Sequence, residues 1–215
     1  MLTSLDAELF PDSCEVVAIP PHNQWVYLIQ KNGSTSLRFQ AQREGWITLY
    51  NADIFALDTI DIYIRNAQQR YISGVNTFLQ HLKQTHPGLD QTTALWFVKR
   101  YSFLNRHYLP QFHWLVNLAR FTNPECVFRF RNFDDISSLT DINDHAGIYP
   151  ADSALVDQIM QGSNLELWFY LDQILLDLQG QSKTWWQLID HYQTNHSEAY
   201  SIVTKSLRSQ SDVLP

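Results

Sequence analysis

The chain has 215 residues, 45% of them hydrophobic and only seven of them glycine, enough for one α/β domain with a full core and too short for two. Its net charge of −7 argues against a general nucleic-acid binder, which needs clustered Lys and Arg to displace counterions. The two cysteines, Cys14 and Cys126, have neither metal-ligand spacing nor a framework to staple, so a reducing compartment is expected.

Met1 to Pro20 lacks a basic n-region and an apolar h-region, so no secretory signal is expected. Within it, Glu15–Ile19 reads as an edge strand before Pro20-Pro21. Residues 25–30 form a second β-favouring run, which breaks at Lys31-Asn32-Gly33-Ser34-Thr35-Ser36 and gives way to a helix over 35–43. Strands are predicted at 46–50 and 60–64. Apolar residues at 67, 71, 72, 75, 78, 79 and 82 then predict a helix over 67–84, stopped by His86-Pro87-Gly88. Helices at 91–105 and 111–121 and a strand at 126–130 follow. This alternation implies a parallel sheet covered on both faces. From 151 onward the chain reads as helices. Leu165–Leu178 is apolar on nearly every side, so it should be buried against the sheet or against a second subunit of a homodimer. The run Leu165–Leu171 is interrupted by Glu166 and is too short to span a bilayer. The expected organisation is one domain over 1–215, with a core at about 25–140 and a helical region at about 151–208.

Two strand-to-helix junctions carry the chemistry. At the first, Gly33 lets backbone N–H groups approach a ligand, the helix N-terminus adds about half a positive charge, and Lys31 adds a full one. Asn32, Ser34, Thr35 and Ser36 complete a loop suited to phosphate or sulfate; a plain N-cap is the alternative. At the second, Arg65 ends strand 60–64 and Ser73 lies about two turns into the next helix, so a guanidinium and a hydroxyl are placed to grip a second phosphate. A structural ion pair of Arg65 with Asp61 is the alternative there.

Together these segments resemble the sulfotransferases that use 3′-phosphoadenosine 5′-phosphosulfate (PAPS). QKNGSTSL at 30–37 is similar to the family's 5′-phosphosulfate loop, with Gln30 where proline is usual. RNAQQRYISGVNTF at 65–78 is similar to the 3′-phosphate motif through Arg65, Arg70 and Ser73, with Asn66-Ala67 replacing Asp-Pro. His107-Tyr108-Leu109-Pro110-Gln111 resembles a segment of the carbohydrate branch, and 126–133 resembles a later family strand with Arg131 in an acidic position. The resemblance spans about 25–140. It implies a P-loop-like three-layer fold, PAPS as sulfuryl donor with 3′-phosphoadenosine 5′-phosphate as product, and a hydroxyl acceptor of glycan type. With no membrane anchor in view, it implies a cytoplasmic enzyme of bacterial or viral rather than Golgi kind.

The residues expected at the reacting centre follow from that chemistry. Charge builds on the bridging oxygen of the leaving phosphate, and Lys31 is placed to stabilise it. An alcohol acceptor needs a base. His107 is the imidazole in the resembling segment; Asp53 and Glu44 are the carboxylate alternatives. Trp185-Trp186 reads as packing, with a stacking platform for the acceptor as the alternative. Two other functions compete: a P-loop small-molecule kinase, weakened because Gly33 is not followed by Gly-Lys, and a catalytically degenerate nucleotide-binding scaffold.

Overall fold

The computed structural model describes residues 13–101, 107, 109–139, 158 and 165–201. These form strands β1 (Glu15–Ile19), β2 (Gln24–Tyr27), β3 (Thr48–Tyr50), β4 (Thr59–Ile64), β5 (Val127–Asn132) and β6 (Ser182–Thr184), joined in one sheet of order β3-β1-β2-β4-β5-β6. The helices are α1 (Ser34–Glu44), α2 (Ala67–Thr85), α3 (Gln91–Tyr101), α4 (Gln111–Ala119), α5 (Leu165–Asp177) and α6 (Trp185–Asn195). The class is α/β. Predicted residues 102–105 of the third helix, and most of 151–164, lie outside the described residues. No helix among the described residues is long and apolar enough to cross a membrane.

The sheet is mixed, not parallel throughout. Pairs β2–β4 and β4–β5 are parallel, whereas β1–β2, β1–β3 and β5–β6 are antiparallel. The reason is connection length. Only Pro20–Asn23 separates β1 from β2, too few residues for the crossover that parallel neighbours require. Asn23 closes that hairpin in the left-handed region at φ 48°. β1 is also interior rather than an edge: Val16, Val17 and Ile19 are all buried, and the short β3 takes the edge.

Alternation along the strands divides the core in two. Ile60, Ile62 and Ile64 of β4, with Phe128 and Phe130 of β5, face a large cluster built with α2 to α6. Burying each such side chain stabilises by about 1.5–3 kcal/mol. Val26 of β2 and Leu28 just after it, with Tyr63 of β4, face a smaller cluster completed by Leu37 and Ala41 of α1. Helix α5 contributes Leu171, Ile174 and Leu175 to the large cluster, while Gln173 and Asp177 are exposed. Its described part is therefore one-sided.

Two of the parallel strands have opposite exits. From β2 the chain enters α1 on one face and travels to the β3 edge. From β4 it enters α2 on the other face and travels to β5. Adjacent strands whose connections diverge in this way leave a crevice at their carboxyl ends, the usual ligand position in open α/β sheets. Residues 30–36 and Arg65 follow the carboxyl ends of those two strands.

Candidate functional site

The loop after β2 is tightly made. Ile29 accepts a hydrogen bond from the Asn32 N–H at 3.1 Å, and Lys31 and Gly33 both take left-handed backbone, φ 68° and 74°. Glycine is required at 33 twice over, since a Cβ there would also sit 2.8 Å from Ile136 Cδ1. Lys31 has no such freedom, and a non-glycine residue held there marks local strain. It is held by two bonds. Its carbonyl accepts from Arg65 Nη1 at 2.9 Å, and its Nζ donates to Thr77 Oγ1 at 2.6 Å. In α1 the first intrahelical bond runs from the Leu37 N–H to the Gly33 carbonyl, so the N–H groups of Ser34, Thr35 and Ser36 have no intrahelical acceptor.

Arg65 ends β4 with its guanidinium over the Phe133 ring, 4.9 Å from the centroid, and with Nε lacking a hydrogen-bond partner among the described residues. It makes no pair with Asp61. That carboxylate is buried and taken by Arg129 at 2.5 Å and Arg131 at 2.7 Å from β5. Arg131, in the position where the resembling family has an acid, thus has a structural partner on the adjacent strand. Asn66 caps the start of α2, its side chain accepting from the Gln69 N–H at 3.1 Å.

Arg70 lies beneath the loop rather than at its mouth. It is 1% exposed, and it donates through Nε to the Gln30 carbonyl at 3.1 Å and through Nη1 to the Leu109 carbonyl. Through Nε and Nη1 it braces the loop on main-chain oxygens, while Nη2 has no hydrogen-bond partner among the described residues. Ser73 is half-buried, and its carbonyl accepts from Thr77 Oγ1 at 3.1 Å. Asn32 is buried. Its amide donates to the Tyr63 carbonyl at 2.7 Å and to Gln111 Oε1 at 2.6 Å.

His107 is buried with its ring centroid 5.3 Å from that of His81, edge to face. Ser73, Thr77 and His81 follow one another at i, i+4 and i+8 on α2, so they share a helix face. That face carries the Lys31 amine at Thr77 and His107 one turn, about 5.4 Å, further on. The carboxylate alternatives are not brought there. Asp53 is exposed in the 3₁₀ helix Asn51–Ala56 between β3 and β4, and Glu44 is exposed and paired with Arg43 at 2.7 Å. The tryptophan pair is divided: Trp185 packs against Phe112, ring centroids 6.1 Å apart, while Trp186 is 64% exposed.

Three site residues were not legible as such. Thr77 belongs to the polar stripe at four-residue spacing, a pattern visible in the sequence. Asp172 is a carboxylate inside an otherwise apolar helix, the usual mark of a buried partner. Gln111 gave no signal beyond its place in the His107–Gln111 segment.

Three cationic side chains, Lys31, Arg65 and Arg70, crowd this junction. Burial, then the charges of Arg70 and Arg65, bring the Lys31 pKa down to about 8. Burial lowers that of Arg65, opposed by Asp134. Burial also brings Arg70 down to about 10, opposed by Asp172 and assisted by Arg65. A bound anion would restore the Lys31 proton, so binding and protonation are linked. Below about pH 8 the free protein already carries the proton and affinity is full; above it, affinity should fall by up to tenfold per pH unit. Sulfate does not change charge in this range and isolates the effect. Calorimetry showing sulfate affinity flat through about pH 9.5 would remove Lys31 from the anion site.

No family model, curated protein or solved structure matches the chain.

Proposed function

We propose that the chain is a PAPS-dependent sulfotransferase acting on a hydroxyl acceptor of carbohydrate type in the cytoplasm. The observation that supports it best is the meeting of the Lys31 loop and Arg65, joined by a 2.9 Å bond, at the carboxyl ends of two strands whose connections diverge. The residues fit an adenosine bisphosphate with one departure. Lys31 and the N–H groups of Ser34, Thr35 and Ser36 hold the 5′-phosphosulfate side, with Asn32 and Gly33 shaping the turn. Arg65, whose Nη1 holds the Lys31 carbonyl, and the half-buried Ser73 serve the 3′-phosphate. Arg70 supports the loop from below instead of touching the ligand. When bound, PAPS supplies an activated sulfuryl group on a phosphate leaving group. Lys31, whose ammonium is bonded to Thr77 in the empty protein, would neutralise the phosphate oxygen left when its bond to sulfur breaks. His107 would take the proton of the acceptor hydroxyl, whose oxygen becomes bonded to that sulfur.

Selectivity for the second phosphate tests the reading. 3′-Phosphoadenosine 5′-phosphate should bind more tightly than AMP by roughly 1.5–3 kcal/mol per charge-assisted bond, without added metal. Arg65→Ala should erase most of that difference while the protein stays folded. Equal calorimetric affinities of the parent protein for the two nucleotides would sink the assignment. Turnover of labelled PAPS with pooled glycans, lipids and small alcohols then separates an enzyme from a nucleotide-binding scaffold.

A further inference from the structure

Gln111 is wholly buried at the start of α4, and every hydrogen-bonding position of its carboxamide is used. Oε1 accepts from Asn32 Nδ2 at 2.6 Å and from the Arg65 N–H at 2.9 Å. Nε2 donates to the Arg65 carbonyl at 2.8 Å and to Asp172 Oδ2 at 3.1 Å. The orientation is unambiguous: two donors face the oxygen and two acceptors face the nitrogen, and a flipped amide would oppose like with like. Gln111 therefore pairs with Arg65 through both of its main-chain groups, as a neighbouring strand would, although no strand lies there. The same amide fastens the anion loop through Asn32.

Asp172 completes the frame. Buried on α5, it accepts from Gln111 Nε2 and from the Phe112 N–H at 3.2 Å, and lies near enough to Arg70 to feel its charge. Arg70 in turn holds the carbonyls of Gln30 and Leu109. Loop 30–32, residue 65 and segment 109–112 are thus joined around one amide. From this we infer that Gln111 is a positioning residue, fixing the separation of the Lys31 loop from Arg65 and so the spacing of the two phosphates the site accepts. The inference rests on the adenosine bisphosphate reading and specifies how that site measures its ligand.

A carboxamide is needed because the position must both accept twice and donate twice. Gln111→Met keeps the length and removes all four bonds. Gln111→Glu keeps the shape, but when ionised it turns an acceptor toward the Arg65 carbonyl and a negative charge toward the carboxyl of Asp172, whose pKa burial raises against the charge of Arg70. When protonated, the introduced carboxyl can donate again.

The experiment measures the ratio of affinities for 3′-phosphoadenosine 5′-phosphate and AMP by calorimetry, in folded protein checked by circular dichroism. The ratio should fall about tenfold or more in Gln111→Met relative to parent, the loss of one charge-assisted contact. In Gln111→Glu it should be depressed near neutrality and recover toward the parent value, compared at each pH, as the solution is acidified. A merely structural glutamine would lower Tm and leave the ratio alone. An unchanged ratio in Gln111→Met, or, should that variant not fold, a Gln111→Glu ratio that tracks the parent at every pH, overturns the inference while leaving the bisphosphate reading intact. A parent protein with no preference between the two nucleotides overturns both.

Discussion

Lys31→Ala is expected to lower the rate of sulfuryl transfer by about 10²–10³-fold, the scale of deleting one preorganised donor at a developing anion. Affinity for 3′-phosphoadenosine 5′-phosphate should fall much less, because the ammonium matters most once the leaving oxygen is anionic. Normal maximal rate with weaker binding would make Lys31 a holding residue. The same side chain should also be a burden on the empty protein. Its pKa is brought down to about 8 by burial and by Arg70 and Arg65, so between about 8 and its unfolded value of about 10.4 the unfolded chain binds the extra proton. Stability should therefore rise with pH across that window, and the cost is fully present below it. Lys31→Met keeps the stem and the left-handed backbone but removes the charge, so it should raise Tm near neutrality. A fall would show that the 2.6 Å bond to Thr77 outweighs the repulsion.

The sequence made the local elements plain and left their arrangement open. Apolar spacing located α2 from 67 onward and β-branched residues located β4, because both signals are local. The direction of β1 was decided by something equally local that went unused: a four-residue link forces an antiparallel neighbour. β6, only Ser182–Thr184 and mostly polar, has no strand pattern to read. It forms because the opposite edge of β5 offers it a ladder. Strand 25–30 ends early at Tyr27 for a local reason, since the chain turns there and Ile29 accepts from the Asn32 N–H.

The site divides in the same way. The loop 31–36 and Arg65 announce themselves as a strand, a glycine, a cation and a helix start. What joins them does not, because it is built across 111, 172 and 70, residues distant in the chain that meet only when α4 and α5 pack beside β4. Arg70 shows the limit most directly. The resemblance implies a phosphate ligand, with a surface position as the alternative, yet residue 70 falls on the buried side of α2, and Nε and Nη1 turn toward main-chain carbonyls. Sequence spacing identifies the helix face; only packing says what that face meets.

The choice of base separates most sharply in experiment. His107→Ala is expected to lower the transfer rate by about 10²-fold or more while leaving nucleotide affinity nearly unchanged. The reason is placement. His107 meets His81, which lies one turn beyond Thr77 on the face of α2 that receives the Lys31 amine, whereas Asp53 is exposed on the link from β3 to β4. Two further contacts hold the His107 segment at the site: Arg70 grips the Leu109 carbonyl and Gln111 is bonded to both Arg65 and Asn32. Asp53→Asn is the paired control and should retain parental activity. The reverse pattern, an inactive Asp53→Asn beside an active His107→Ala, would assign proton transfer to the carboxylate and require the link carrying Asp53 to move toward Lys31 when the acceptor binds.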